Sequence, residues 1–499
     1  MHRHRGFSAR SLSALGLVLV FLSGTASVSA QCAASFGSAS NVSVGSVPFS
    51  VVFADFNNDT KFDMATANLG GNSVTTRRGN GDGTFASLVT AASVSAPYSL
   101  AAGDIDNDGR MDLIISADTA ANNIHFLRGN GDGTFQSPVT YSASNRPECV
   151  TLGDFNHDGW LDVAAANYEG ANVSVLLNSG SGVLQPSVNY PVGSLPQSVA
   201  VADLNQDGKP DLVVGNAGDN NVSVLLGNGD GTFGTATNFP VGSYPISVAI
   251  ADVSNDGRPD LIVSNSNSNN VSVLLANGNG TFQAAVQYSL GSAAGQVVVG
   301  DLNGDGRPDI AVALNISNTV AVLLGNSNGT FGLPASIPVG TGPFSVSAAD
   351  LNGDARPDLG VANSASNSVS VLLDTGVSAF ITQQPASAAV VQGSATILTV
   401  SANGATSFRW RHNGILITNG GHYGGATTAS LAISNCTSTE AGAYDVLVGA
   451  SCGAGVTSRT AVLDVNAPVC KGDFNNDGQF TTADIQGFVN ALLAGMTCP

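Results

Sequence analysis

One short acidic phrase recurs seven times along this chain at nearly constant spacing. It reads D-x-N-x-D-G-x-x-D, or close to it, and its copies begin at Asp55, Asp104, Asp154, Asp203, Asp252, Asp301 and Asp350. Successive copies lie 49 or 50 residues apart. A period held that closely over roughly 300 residues marks a repeat architecture, in which each unit buries its apolar face against its neighbours.

The unit around Asp203 shows what is repeated. Gln197-Ser-Val-Ala-Val-Ala leads into the acidic phrase. Asp211-Leu-Val-Val-Gly-Asn216 follows it, then Asn221-Val-Ser-Val-Leu-Leu-Gly227 and Asn228-Gly-Asp-Gly-Thr-Phe233, and Pro240-Val-Gly-Ser-Tyr-Pro245 ends the unit. Short runs rich in Val, Leu and Ile, punctuated by Gly, Asn, Asp and Pro, are strand and turn signals. No unit carries a 3.6-residue periodicity long enough for a helix. Four short strands at this period predict propeller blades, and seven phrases predict seven blades. The last unit stops at Val371-Leu-Leu-Asp374, short of a fourth strand, whereas Phe36 to Gly45 matches the fourth-strand region of other units. The first mature strand is therefore expected to complete the last blade and close the ring, removing exposed edges.

These units resemble the FG-GAP repeats of integrin α-chain propellers and their bacterial VCBS-type relatives. Phe36-Gly37, Phe233-Gly234 and Phe331-Gly332 match the Phe-Gly element, which is broken at Phe85, Phe135 and Phe282. Gly45-Ser-Val-Pro48, Gly193-Ser-Leu-Pro196, Gly242-Ser-Tyr-Pro245 and Gly340-Thr-Gly-Pro343 resemble the Gly-Ala-Pro element, with Ala294 in place of Pro in the sixth unit. The resemblance spans residues 31–376 and implies an all-β, seven-bladed propeller.

The acidic phrase has the chemistry of a Ca2+ loop. Calcium takes six to eight hard oxygen ligands on a flexible loop, and alternate spacing in a tight loop aims every second side chain inward. Positions 1, 3, 5 and 9 supply Asp55, Asn57, Asp59 and Asp63; Asp104, Asp106, Asp108 and Asp112; Asp154, Asn156, Asp158 and Asp162; and Asp203, Asn205, Asp207 and Asp211. The remaining sets are Asp252, Ser254, Asp256 and Asp260; Asp301, Asn303, Asp305 and Asp309; and Asp350, Asn352, Asp354 and Asp358. Turn formation alone would need one Asx-Gly pair. Two carboxylates about 4 Å apart repel by several kcal/mol at an intermediate dielectric, a cost that a cation removes. The family resemblance implies the same metal. Position 6 is Gly in five copies but Thr60 and Ala355 in the first and seventh.

The N-terminus reads as an export signal: Arg3, Arg5 and Arg10, an apolar run from Leu12 to Leu22, and Val28-Ser29-Ala30 as the cleavage site, with the cut after Ala30. That run is too short to span a bilayer, and no later segment qualifies. Once residues 1–30 are removed, 14 basic residues face 36 acidic ones, a net charge of −22. Nucleic acid is excluded as a partner, since binding it needs clustered Lys and Arg. Export permits disulfides. Cys470 and Cys498 bracket the last module and are expected to pair, Cys436 and Cys452 are candidates for a second bridge, and Cys32 and Cys149 have no assigned partner.

Beyond the repeats, residues 380–466 resemble an immunoglobulin-like β-sandwich, with Trp410 as the core tryptophan and Glu440-Ala-Gly-Ala-Tyr444 as a tyrosine corner. Val446 stands where that fold places one cysteine, and Leu398 and Val400 lie near the other, so an apolar core must replace the bridge. Residues 468–499 resemble half of a type I dockerin: one EF-hand-like loop with Asp473, Asn475, Asp477, Thr481 and Asp484 as Ca2+ ligands, then a short helix. The missing second half puts cohesin binding in doubt and leaves the module as a candidate surface tether.

No catalytic constellation is present: the four mature histidines, His125, His157, His412 and His422, have no zinc-binding spacing, and no G-x-S-x-G elbow occurs. The chain is expected to be a secreted or cell-surface, non-catalytic, calcium-binding protein that contacts an extracellular protein or glycan. The alternatives are a lectin-like carbohydrate binder and an accessory to a polysaccharide-degrading enzyme. Positions that break the repeat mark candidate docking surfaces: Arg77, Arg78, Arg110, His125 and Arg128 in blades one and two, and His157, Trp160, Tyr168 and Glu169 in blade three.

Overall fold

The computed structural model describes residues 34–118, 122–376, 379–450, 455–466 and 481–493. The export signal, Cys32, Cys452, Cys470, Cys498, Asp473, Asn475 and Asp477 lie outside the described residues. The chain divides into two compact units, 1–376 and 377–499.

The first unit holds seven four-stranded antiparallel sheets. In the fourth blade the strands are Pro196–Ala202, Asp211–Asn216, Asn221–Leu225 and Thr237–Pro240, paired in sequence order. The second strand of every blade is buried along its whole length, which explains why it reads as a near-continuous apolar run rather than an alternating one. The fourth strand lies at the rim and is mostly exposed. Phe233 does not start the fourth strand. It bridges back to Gly227, closes the hairpin between strands three and four, and packs edge-on against Phe155 of the preceding blade, ring centroids 5.5 Å apart. The Phe of the repeat is thus an inter-blade wedge.

Each innermost strand touches the innermost strands on either side, and the first, Pro48–Ala54, touches the last, Pro343–Ala349, so the propeller closes on itself. Serines on these strands reach across the seams: Ser198 Oγ accepts the Val248 N–H, Ser247 Oγ that of Val297, and Ser345 Oγ that of Val51. Cys149 replaces serine at this position in blade three. Its thiol is buried against Val199 O, which accounts for this cysteine as a core group.

Ser40–Ser43 pairs antiparallel with Ser368–Leu372 and supplies the missing fourth strand of the last blade, with Phe36 bridging Asp374 beyond it. Arg77 locks this closure from the first blade. Its guanidinium donates to Ser43 O from both Nε and Nη2, at 3.0 and 2.7 Å, and to Ala86 O from Nη1. Arg77→Ala is expected to destabilise the propeller by about 1–3 kcal/mol, the usual worth of hydrogen bonds from a charged donor. Urea unfolding should show a lower midpoint at unchanged slope, and an unaltered midpoint would show that the seam does not need this contact.

In the second unit one sheet has the order Ala388–Val391, Ala461–Asn466, Gly442–Ala450, Ala405–His412, Ile415–Leu416, with Val456–Thr457 also paired to Gly442–Ala450. A second sheet has Thr396–Thr399, Ser430–Ile433 and Tyr423–Gly424, and Phe380–Gln383 pairs with Ser401–Asn403. They share one core built on Trp410, Tyr444, Leu398, Val400, Leu431, Ile433, Val446 and Val448. Trp410 stands opposite Val446 in register, and its indole N–H is satisfied by Thr428 O at 2.9 Å. An apolar contact therefore occupies the place considered above for a disulfide. The helix Thr482–Leu493 opens with Asp484 accepting the Thr481 N–H at 2.7 Å, half of a capping box. No helix among the described residues is long and apolar enough to cross a membrane.

Candidate metal centres in the acidic loops

Each acidic phrase forms the connection between the first two strands of its blade. Positions 4 and 6 both take left-handed backbone, as at Asn107 and Gly109 with φ of 52° and 85°. Thr60 and Ala355 hold the same conformation at position 6, φ 69° and 64°, at a cost of about 1–2 kcal/mol each for a residue with a Cβ. These turns wind the loop around its own side chains. The position-1 carboxylate accepts the N–H groups of positions 5 and 6, as Asp203 does from Asp207 and Gly208 at 3.0 and 2.8 Å. The position-5 carboxylate accepts the N–H of position 7, as Asp207 does from Lys209. The same two bonding patterns hold in the loops of Asp55, Asp104, Asp154, Asp252, Asp301 and Asp350.

Position 9 has a role that spacing alone does not reveal. Asp63, Asp112, Asp162, Asp211, Asp260, Asp309 and Asp358 are 0–2% exposed. One oxygen of each accepts the N–H of position 2 in its own loop, and the other accepts an N–H just after the third strand, at the start of the hairpin in blades one to six and at Asp374 in blade seven. For Asp211 these are Leu204 and Gly227, at 2.8 and 2.7 Å. Burial pushes these carboxyls up, to about 7 for Asp112 and about 8 for Asp309, against the lowering pull of the two N–H bonds. Position 2 then ties blade to blade. Phe56 O accepts Gly133 N–H, Phe155 O accepts Gly231 N–H, Val253 O accepts Gly329 N–H and Leu351 O accepts Gly83 N–H, each from the following blade around the ring. The acidic loops therefore sit on the inter-blade seams.

The second blade gathers its acids most tightly. Asp104, Asp106 and Asp108 bring one carboxylate oxygen each within 4.8 Å of one another, the one such trio of acids among the described residues, and Asp112 is not part of it. Asp106 Oδ1 is out of reach of solvent and has no hydrogen-bond donor. Arg128 Nε stands 3.5 Å from the other oxygen of Asp106, and its guanidinium also donates to Ser181 O in blade three. A buried oxygen with no donor, among hard oxygens on a loop, fits a calcium ion. In the first, third, sixth and seventh blades position 3 is Asn, whose Nδ2 donates to the position-5 carboxylate, as Asn57 does to Asp59. Ser254 takes this position in the fifth.

The residues that break the repeat divide between the two faces of the ring. His157 and Trp160 lie in the acidic loop of blade three, with Trp160 against Gly180 of the adjacent hairpin. Tyr168 and Glu169 follow the second strand of that blade and lie on the opposite face, with Arg146. The arginines of blades one and two do not form a free cationic patch. Arg77 is bound to the closing strand, Arg78 donates to Asp132 O, Arg110 pairs with Asp108, and Arg128 is held as above. His125 Nδ1 meets Thr140 Oγ1 at 3.1 Å.

A family model described as "FG-GAP-like repeat" matches residues 55–115, 114–165, 154–214, 203–263, 254–312 and 301–361. The chain belongs to the FG-GAP-like repeat family. The six matches cover more than half of the chain and follow the blades in order. The search of curated proteins gave no match. Among solved structures, a functionally unknown protein from Desulfotomaculum acetoxidans is similar over 59% of this chain and 90% of its own, at 14% identity and a TM-score of 0.44. Titin domain M4 is similar over 18% of this chain and 95% of its own, at 23% identity and a TM-score of 0.16. The D1 domain of Duf (Kirre) is similar over 18% of this chain and 99% of its own, at 19% identity and a TM-score of 0.17. At these scores the likenesses say nothing about ligand or activity.

Proposed function

We propose that this FG-GAP-like repeat protein is an exported, non-catalytic interaction protein whose propeller is braced by calcium at its blade seams. The observation that carries the reading is the donor-free, buried Asp106 Oδ1 within the Asp104, Asp106 and Asp108 cluster. The equivalent loops offer the same hard-oxygen chemistry with one carboxylate fewer, and are read as weaker sites. Calcium here would neutralise the gathered carboxylates, while this chain's backbone N–H groups orient them. The export-signal sequence and the family support an extracellular reading, and calcium modules outside the cell work with Kd values of about 10⁻⁴–10⁻³ M, so weak sites are useful there.

The second unit is read as an immunoglobulin-like spacer or adhesive domain. Support comes from the fully buried Trp410 and from the Tyr444 hydroxyl, which donates to Glu440 O at 2.7 Å. Residues 468–499 are read as a single calcium-loaded half-hand that could tether the protein to a surface, with Asp484 also capping its helix. Protein or glycan partners remain the expected class. Trp410 is fully buried and Trp160 half-buried, so no observation lifts the lectin alternative above this one.

Calorimetric titration of the mature chain tests the metal reading. Saturable binding is expected with Kd near or below about 10⁻³ M, the range of extracellular calcium modules, and no saturation by about 10 mM would overturn it.

A further inference from the structure

The innermost strand of every blade carries a β-bulge near its start, on the face opposite the acidic loops. The pairing register slips between Pro48 and Ser50, Pro97 and Ser99, Pro147 and Cys149, Pro196 and Ser198, Pro245 and Ser247, Ala294 and Val297, and Pro343 and Ser345. A bulged residue is left out of the ladder and its side chain is re-aimed. Here the bulged residues point to the axis: Phe49, Tyr98, Glu148, Gln197, Ile246, Gln296 and Phe344 line one cavity of about 40 Å³, fed by all seven blades. In blade six two residues, Gly295 and Gln296, stand between the paired positions, and Gln296 is the one in the lining.

The ring is divided by chemistry. Phe49 packs against Phe344 and Tyr98 with ring centroids 4.4 and 4.9 Å away, forming an aromatic arc from blades seven, one and two. Glu148 and Gln296 flank this arc in blade order, beside Tyr98 and Phe344, and Gln197 and Ile246 complete the ring. Glu148 is 2% exposed, and it is the one charged residue among the seven that line the ring. The other six show that the fold does not require a charge there, so this carboxylate is an addition to the scaffold.

Its surroundings carry surplus negative charge. Arg146 is the one cation in the group, and it meets three carboxylates: Asp118 at 2.5 Å, Glu148 at 3.1 Å and Glu169 at 3.3 Å. Gln197 Nε2 donates to the other oxygen of Glu148 at 2.8 Å. A carboxylate offers about four acceptor positions, so these two contacts leave room for further donors. Arg146 is itself held, with its guanidinium 4.7 Å over the Tyr168 ring, whose hydroxyl meets that of Tyr244 at 3.1 Å.

We propose that this axial cavity is a binding site for an aliphatic primary ammonium group. The ammonium would donate to Glu148 while the Phe49, Tyr98 and Phe344 rings pack against its cationic head and first methylenes. A divalent metal fits poorly, because one carboxylate faces the cavity and aromatic rings supply no lone pairs. An anion would meet a net negative group. The cavity has room for one small head group on a thin stem, so a linear amine or a lysine side chain suits it better than a bulky ligand. Burial pushes the Glu148 carboxyl up to about 8 despite Arg146, in line with a charge that one cation only partly compensates. The site lies on the opposite face from the calcium loops and does not depend on them.

The test is titration of the mature chain with n-butylammonium and with n-butanol near pH 8.5, where both Glu148 and an alkyl ammonium of pKa about 10.4 carry most of their charge. The amine is expected to bind and the alcohol not to. Glu148→Gln should weaken amine binding at least about tenfold with no loss of melting temperature. Phe49→Leu, which keeps the apolar volume and removes a π face, should weaken it by about three- to tenfold and serves as the second variant should the first fail to fold. Nα-acetyl-lysine methylamide tells a protein lysine from a free amine: tighter binding than butylammonium assigns the site to a lysine-bearing partner, weaker binding to a small amine, and both sustain the proposal. Equal binding of amine and alcohol, no amine binding, or unchanged affinity in Glu148→Gln would overturn it.

Discussion

Asp211→Ala is expected to cost the propeller roughly 2–6 kcal/mol, with or without calcium, because it strands two buried backbone N–H groups that each cost about 1–3 kcal/mol when unpaired. Asp211 is fully buried, and its carboxylate bonds Leu204 N–H and Gly227 N–H. Those bonds join the acidic loop to the hairpin of the same blade, and the corresponding hairpin and loop atoms bridge adjacent blades at several seams. Cooperative loss across the ring should follow. Asp211→Asn keeps an acceptor for one of the two donors and should cost less. Urea unfolding in chelator measures both variants. If the deficit of the alanine variant vanished once calcium was removed, position 9 would be a metal ligand first and a structural clip second.

Removing calcium is the second large perturbation. Chelation should lower the melting temperature of the propeller by several degrees or more, and added calcium should restore it. A site held at 100 times its Kd contributes about 2.7 kcal/mol to the folded state. One kcal/mol shifts the melting temperature of a domain somewhat smaller than this one by about 2–4 °C. Asp108→Ala separates the two kinds of aspartate. Asp108 is exposed at position 5, so its loss should lower the melting temperature in calcium and have little effect in chelator, opposite in pattern to Asp211→Ala. Superimposable melting curves with and without chelator would end the structural-calcium reading.

How far the chain could be read in advance differs from residue to residue. The period of the acidic phrase, the four strands per unit and the missing fourth strand of the last blade were all legible, because blades repeat locally and each is bounded by its own turn residues. The closing role of Ser40–Ser43 followed from the same count. Arg77 reads locally as a docking-surface cation, since nothing in its neighbourhood says that Ser43, 34 residues earlier, arrives beside its guanidinium. Glu148 stands at a place in the repeat that other blades fill with neutral residues. A position-by-position comparison of the units would have singled it out, but not its direction, because a bulge reverses the alternation by which side chains are assigned to faces.

The number of blades, the order of their strands and the composition of each acidic loop are all set by the local pattern of residues. These are near-neighbour properties, written in spacing and turn chemistry. The packed structure divided the aspartates into loop-lining carboxylates and buried clips, left Asp106 Oδ1 buried without a donor, and turned bulged residues from seven blades towards one axis. The axial grouping depends on closing the ring, which brings together residues some 50 to 300 positions apart, and the buried clips depend on hairpin N–H groups such as that of Gly227, 16 residues along the chain from Asp211; no local pattern encodes either distance.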